Sequence, residues 1–367
     1  MDLQLLLYSM VLLSLLHLGT LFPKFPVFSS FAPGIVVPRN YILVPLQIIL
    51  IGYAFLTYQQ SWLWILIAIV LLANICIHVY LSYRVRKAFE AYGASVSLLR
   101  CYQRHTFSNV KKIVQPYHKT TYGNLYLNIY QNENQNTLRP VIVYIHGGGW
   151  ILGSKDNHEY DSKMYAKHGF VVVSVDYTLS NAKRHLYKET EKEIAVALNW
   201  VYEHIAQYGG NKECMYLIGD SAGGNLALEV AFREDLKIPN IKAISVLYPA
   251  IDLIHFYHNS DWLHSRIAKK MAFSYIGKTP QEDQEAYNLL NPCYKIRNSL
   301  PPINIIVGMR DTLVPPMPTY EFAKQLQDNH CEVQLVKVPY MAHILDHPHE
   351  SYGHQGATQI TIQWFQK

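Results

Sequence analysis

Gly219-Asp220-Ser221-Ala222-Gly223-Gly224 follows the apolar run Met215–Ile218 and leads into Asn225-Leu226-Ala227, where a helical pattern begins. A serine held between two glycines at a strand-to-helix turn has the setting of a nucleophile. The turn lifts its hydroxyl above the sheet edge, and the helix N-terminus behind it favours developing negative charge. Gly219 and Gly223 carry no Cβ that would collide where strand and helix cross. A second glycine-rich segment, His146-Gly147-Gly148-Gly149-Trp150, closes the run Val141–Ile145. Three glycines after a buried strand leave backbone N–H groups able to point into a cleft. An oxyanion needs such donors about 3 Å away, and losing one costs ~3–4 kcal/mol. A phosphate-binding loop is the rival reading, but no G-K-[ST] or G-x-G-x-x-G pattern follows.

Groups of this kind need a rigid sheet behind them, and the sequence supplies one. Beyond residue 110, β-branched and aromatic runs alternate with helical stretches. Strands are predicted over Lys112–His118, Asn124–Tyr130, Val141–His146, Phe170–Tyr177, Cys214–Gly219, Ile241–Leu247, Ile303–Gly308 and Glu332–Val338. Helices are predicted over Tyr187–Gln207, Ser221–Arg233, Thr319–Asp328 and Ser351–Phe365. Runs such as Val171-Val172-Val173 have no polar alternation, which marks strands covered on both faces and hence a mostly parallel sheet. The expectation is a doubly wound, eight-stranded α/β sheet. Asp252–Asn291 is polar and helical where a short link would suffice, and reads as an inserted cap.

The pair HGGGW and GDSAGGNLAL, roughly 70 residues apart, resembles the hormone-sensitive lipase and arylacetamide deacetylase-like group of α/β-hydrolase esterases. The resemblance covers about residues 112–367. It implies an α/β-hydrolase fold with Ser221 as nucleophile and the backbone N–H groups of Gly148, Gly149 and Ala222 as the oxyanion hole. It also implies the chain order serine, acid, histidine. Asp311, in Met309-Arg310-Asp311-Thr312-Leu313 after a late strand, matches the acid. His343, after the last strand, matches the histidine, with His347 and His349 as close rivals in the same loop. A metal reading of these histidines lacks a carboxylate or thiol partner set. The implied reaction is ester hydrolysis through an acyl-enzyme, without metal or organic cofactor. It should weaken as pH drops through about 6–7, because the base must be neutral. The same triad would serve an amidase, peptidase or formamidase, and a non-catalytic receptor on this fold is a further alternative. Tyr248-Pro249-Ala250-Ile251-Asp252 keeps the family pattern. The usual Asp-Tyr-Arg-Leu-Ala-Pro-Glu is here Asp176-Tyr177-Thr178-Leu179-Ser180-Asn181-Ala182, which leaves the substrate class open.

The 367 residues carry 32 Lys+Arg against 27 Asp+Glu, a net charge of +5. Charged residues are 16% of the chain, against about 25% on average. The deficit is local: before Tyr83 the charges are Asp2, Lys24 and Arg39. The small excess on the remainder excludes a nucleic-acid footprint, and the 50% apolar content excludes disorder. Five cysteines without a C-x-x-C pair argue against a disulfide framework or zinc site. Leu3–Phe22, Tyr41–Tyr58 and Trp62–Ser82 each approach the ~20 apolar residues that cross a ~30 Å hydrocarbon core. Pro23, Pro26, Pro33 and Pro38 mark a break between the first two runs, and Pro45 near the start of the second should fall in a first helical turn. No basic residue precedes the first run and no cleavage site follows it, so it reads as an uncleaved span. The expected layout is a membrane domain of three spans over 1–82, an amphipathic helical connector or flap over 83–110, and a hydrolase domain over 111–367 with its cap near 252–291. Lys24 and Arg39 share a side with Arg84, Arg86 and Lys87, which places the large domain in the cytosol. The membrane would be the cell membrane of a bacterium or the endoplasmic reticulum of a eukaryote. The expected partners are the lipid bilayer and a small-molecule or lipid ester. Oligomeric state is not legible.

Overall fold

The computed structural model describes residues 2–25, 27–133 and 137–367, so Pro26 of the expected break lies outside the described residues. The chain folds as two compact units. The first holds Met1–Arg104, Gly308–Thr312 and Lys337–Ile360; the second holds His105–Val307, Leu313–Val336 and Thr361–Lys367.

In the first unit the apolar runs become helices α1 (Leu3–Leu21), α3 (Asn40–Tyr58) and α4 (Leu63–Glu90), with a single turn, α2 (Phe28–Phe31), between the first two. All three long helices have the length and apolarity to cross a membrane. They meet through Leu6, Leu13, Leu50, Ala54, Ile67 and Leu71, while Leu5, Ile49, Leu56 and Ile69 point outward and are mostly exposed. Two polar contacts fasten α1 to α4: Asn74 donates to Ser14 Oγ at 2.9 Å, and His17 Nε2 lies 3.1 Å from His78 Nδ1. These interhelical hydrogen bonds add a directional contact to the apolar packing of α1 on α4. Pro45 sits inside α3 rather than in its first turn. It leaves the carbonyl of Tyr41 without its helical donor, and the Tyr102 hydroxyl donates there at 2.6 Å. The connector over 83–110 is helical only as far as Glu90, where α4 ends; a short 3-10 turn follows at Leu99–Tyr102. Gly93 turns the backbone at φ +82°. The N–H groups of Ser95 and Ser97 then donate to the side chains of Gln359 and Gln355 instead of to a helix ladder. That diversion ends the expected helix.

The strands are β1 (Val110–Thr120), β2 (Gly123–Asn132), β3 (Arg139–Ile145), β4 (Val171–Val175), β5 (Gly210–Asp220), β6 (Ile241–Leu247), β7 (Ile303–Gly308) and β8 (Val333–Val338), in one sheet of order β1-β2-β4-β3-β5-β6-β7-β8. β1 with β2 and β2 with β4 are antiparallel, whereas the pairs from β4 through β3, β5 and β6 to β7 are parallel. The helices are α5 (Glu159–Lys167), α6 (Thr190–His204), α7 (Ala222–Phe232), α8 (Leu253–Asn259), α9 (Ser265–Ile276), α10 (Gln284–Leu289), α11 (Met317–Asp328) and α12 (Tyr352–Phe365). Val143, Val173, Leu217 and Val246 of the central strands pack with Leu198 of α6 and Leu226 of α7. Burial on that scale contributes ~1.5–3 kcal/mol per large side chain and fixes the β5–α7 corner that carries the serine.

Candidate active site

Ser221 stands between the end of β5 and the start of α7 with φ +50° and ψ −116°, a conformation rare for a residue with a Cβ. Its N–H donates to the Leu247 carbonyl at 2.9 Å, and its own carbonyl accepts from Asn225 at 3.2 Å and Ala250 at 3.3 Å. These bonds hold the turn in its strained form. A Cβ on Gly223 would collide with the carbonyl oxygen of Ile145, so α7 can begin this close to the end of β3 only with glycine there.

The glycine loop is fastened to this turn. Gly147 N–H donates to Asp220 Oδ1 at 2.9 Å, and the same carboxylate oxygen lies 3.0 Å from His158 Nε2. His158 Nδ1 is 3.2 Å from Asp161, and its ring stacks on Tyr144 at 4.4 Å. Burial acts to lower the His158 pKa, but the charges and hydrogen bonds of Asp220 and Asp161 outweigh it and hold the imidazole well above its usual value. Burial likewise acts to raise Asp220, and His158 with the Gly147 N–H holds that carboxyl below its usual range. The buried pair thus carries opposite charges at neutral pH. Sequence reasoning missed His158 and Asp161, which no motif marks; Asp220 lay in plain view inside the serine motif. Asp220→Ala should destabilise the fold by about 3 kcal/mol, the lower end for breaking a buried pair, because Asp161 still faces His158. Urea unfolding of the full chain reads this. The signs for pH differ between the partners. The His158 contribution is full below about 6.5 and is lost as pH rises through its elevated folded pKa. The Asp220 contribution is present above about 3.8 and is lost as pH falls through its depressed folded pKa. Wild type should therefore lose stability below about pH 4, and the variant should lose less over that range.

Past Gly147 the loop coils tightly. Gly148 has φ +116°, and a Cβ there would collide with the Leu152 carbonyl. Gly149 has φ +59° and lies under Met271 of α9. Trp150 is buried, stacked on Tyr275 at 4.8 Å with an interplanar angle of 6°. The N–H groups of Gly148, Gly149 and Ala222 have no protein acceptor among the described residues. In the oxyanion-hole role expected from the sequence, Gly148→Ala keeps the N–H but its Cβ would push the loop off Leu152 O, and the displaced donor should reduce kcat by up to about 10²–10³-fold. Steady-state hydrolysis of a p-nitrophenyl ester measures it.

The altered segment 176–182 still supports this loop, through other atoms. The Tyr177 hydroxyl donates to the His146 carbonyl at 2.9 Å, and the two rings stack at 4.3 Å. Ser180 N–H donates to the Trp150 carbonyl at 2.9 Å. The Arg184 guanidinium donates to the Leu179 carbonyl, and Glu193 accepts from the N–H and hydroxyl of Thr178.

Asp311 and His343, the acid and histidine expected from the sequence, meet in the first unit. Asp311 follows β7 and is buried; His343 follows β8. His343 Nδ1 lies 2.6 Å from Asp311 Oδ2. The two loops are joined by backbone bonds from Met309 N–H to Val338 O and from Arg310 N–H to Met341 O, each 2.9 Å. Gly308 has no room for a Cβ beside the Met341 carbonyl. The rival rings lie elsewhere: His349 packs on His347 at 5.1 Å and on His354 at 5.4 Å. The ring on the Asp311 carboxylate is that of His343.

A mostly parallel eight-stranded sheet in this order, with a serine at the turn after β5, is the α/β-hydrolase fold. The model of the BD-FAE family matches residues 127–326, more than half of the chain, and the chain belongs to that family. It is 38% identical over 128 residues to carboxylesterase NlhH of Mycobacterium tuberculosis, covering 33% of this chain and 40% of that one. It is 34% identical over 147 residues to arylacetamide deacetylase of Bos taurus, covering 37% and 36%. The chain thus spans between about a third and a half of the length of the curated relatives it matches. A propionate-bound thermophilic esterase, Est2 of Thermogutta terrifontis, superposes with a TM-score of 0.57 at 23% identity, covering 71% of this chain and 94% of that one. At that identity the likeness speaks for the fold alone.

Proposed function

We propose that this chain is a membrane-anchored serine hydrolase that cleaves carboxylic esters through an acyl-enzyme. Ser221 is the nucleophile, His343 the general base and then acid, and Asp311 the group that fixes the imidazole tautomer. The N–H groups of Gly148, Gly149 and Ala222 receive the oxyanion. The observation that carries this reading is the strained Ser221 turn, bound through Asp220 to a glycine loop whose amides have no other acceptor among the described residues. The Asp311–His343 pair supports it, since its hydrogen bond leaves Nε2 as the nitrogen able to take a proton. In this mechanism His343 Nε2 removes the Ser221 proton as the hydroxyl attacks the ester carbonyl. The imidazolium then protonates the leaving alcohol, and water repeats the sequence on the acyl-enzyme.

Helices α8–α10 serve as the cap in this reading, with Met271 over Gly149. The three apolar helices serve as the anchor, and the Lys/Arg bias puts the hydrolase on the cytosolic face. An enzyme held at a bilayer meets lipid-dissolved acyl esters at high local concentration, so these are the substrates to try beside soluble ones.

The test uses the full chain in detergent and in phosphatidylcholine vesicles. It should be labelled by a fluorophosphonate and should hydrolyse p-nitrophenyl butyrate faster than the matching butyryl anilide. The anilide arm matters because one relative is named for an arylacetamide. A faster anilide would make the chain an amidase. No labelling and no turnover of either compound would leave a binding protein on a hydrolase fold, and the reading would be abandoned.

A further inference from the structure

Arg310 immediately precedes the proposed catalytic acid, and its side chain leaves the acid loop altogether. Its guanidinium donates to the carbonyls of Thr20 at 2.7 Å and Gly19 at 3.0 Å, with Phe22 at 3.4 Å. Those carbonyls are the C-terminal end of α1, the first of the three apolar helices. A helix leaves its last four carbonyls without intrahelical donors and carries a partial negative charge there. At the end of α1 the Phe22 N–H satisfies only Leu18 O. Arg310 supplies the missing donors and a full positive charge, so it is the C-cap of a helix almost 290 residues earlier in sequence. Among the described residues it has no carboxylate partner; helix carbonyls are its counter-charge.

The fastening is not a single bond. On the far side of Asp311, the Thr312 hydroxyl donates to the Ser30 carbonyl at 3.0 Å, in the turn that follows α1. Asp311 is thus flanked on both sides by residues whose side chains are bound to the α1–α2 corner. Gly19 lets that corner close, since a Cβ there would strike Phe28. Behind Asp311, the Arg310 N–H holds Met341 O, two residues before His343. The corner therefore bears on both members of the Asp–His pair.

We infer that Arg310 is a positioning residue through which the first apolar helix fixes the Asp311–His343 pair, so that the anchor is part of the catalytic apparatus as well as its tether. This rests on the proposed hydrolase reading. A carboxylate that must orient an imidazole tolerates little displacement, because an error near 1 Å can cost about 10²-fold in rate. Arg310 acts on the orientation of the base and not on ester binding, so its loss should appear in kcat.

The experiment uses the full chain in vesicles. Arg310→Met keeps the length of the side chain and removes its donors; Arg310→Lys keeps the charge with fewer donors; Thr312→Val removes the second tie. For p-nitrophenyl butyrate, Arg310→Met should lower kcat at least tenfold with KM within about twofold. Arg310→Lys should recover part of that loss, and Thr312→Val should cost a few-fold. In an Asp311→Asn background, Arg310→Met should add little further slowing of fluorophosphonate labelling, because residues acting through one group are not additive. Hydrogen–deuterium exchange over residues 308–313 reports the tie without any substrate, and should quicken in Arg310→Met. Wild-type kcat in Arg310→Lys and Thr312→Val, together with wild-type exchange in Arg310→Met, would overturn the inference. So would a full additional slowing in the Asp311→Asn background. Wild-type protein that fails to label at Ser221 would instead remove the hydrolase reading, and the exchange result would still decide whether Arg310 holds the loop.

Discussion

Ser221→Ala should lower kcat by about 10⁴-fold or more and abolish fluorophosphonate labelling, while leaving the unfolding midpoint close to wild type. The size follows from the chemistry: removing the nucleophile of such a triad costs ~10⁶ in kcat, and what remains comes from the oxyanion hole and binding. The unchanged stability follows from the structure. The bonds from Ser221 N–H to Leu247 O and from Asn225 and Ala250 N–H to Ser221 O are backbone bonds that alanine keeps. Alanine carries the same Cβ into the same positive-φ conformation, so the strain is neither relieved nor increased. Labelling that persists in Ser221→Ala would show that another side chain reacts. Loss of activity together with loss of the cooperative unfolding transition would show only that the turn had collapsed. Mass spectrometry of the labelled peptide and a melting curve separate these results.

The sheet and the serine turn were legible because local chemistry dictates them. Val171–Val175 could be read as a two-sided strand since valines occupy both alternating faces and only Ser174 breaks the run, and Ser221 was marked by glycines that a strand–helix crossing requires. Asp311 and His343 were readable only through a resemblance, because a lone aspartate and one histidine among three give no spacing signal. Their pairing at 2.6 Å depends on two loops brought together by the ends of β7 and β8. Tertiary partners were hidden for the same reason. Arg310 looks like any loop arginine until α1 ends beside it. His158 lies ahead of α5, a short helix of mostly polar composition that the apolar pattern did not reveal. Composition alone predicts a helical connector to residue 110, but glutamine side chains distant in sequence take up its backbone N–H groups beyond Glu90. That segments 308–312 and 337–360 group with the apolar helices is equally invisible to a reading along the chain. Long-range capping leaves no trace in a local window.

Asp311→Asn should lower kcat about 10⁴-fold while KM for p-nitrophenyl butyrate changes little. The buried Asp311 carboxylate can only accept, so the His343 nitrogen it faces at 2.6 Å must carry the proton, and Nε2 is left with its lone pair. An asparagine amide can turn its NH₂ toward that nitrogen instead. The tautomer then reverses, Nε2 bears the proton, and the ring can no longer accept one from a serine; a change of this kind costs about 10⁴ in a comparable triad. The imidazolium that forms during attack also loses its negative partner. Shape and volume are nearly conserved, so the loop bonds from Met309 and Arg310 should survive, and exchange protection over 308–313 should match wild type. His343→Ala should be at least as damaging, and His347→Ala and His349→Ala should stay within a few-fold of wild type, because their rings pack on one another and on His354. A near-normal kcat in Asp311→Asn, or a larger loss at His347 or His349 than at His343, would mean that the base belongs to a different ring and that the acid serves only to shape the loop.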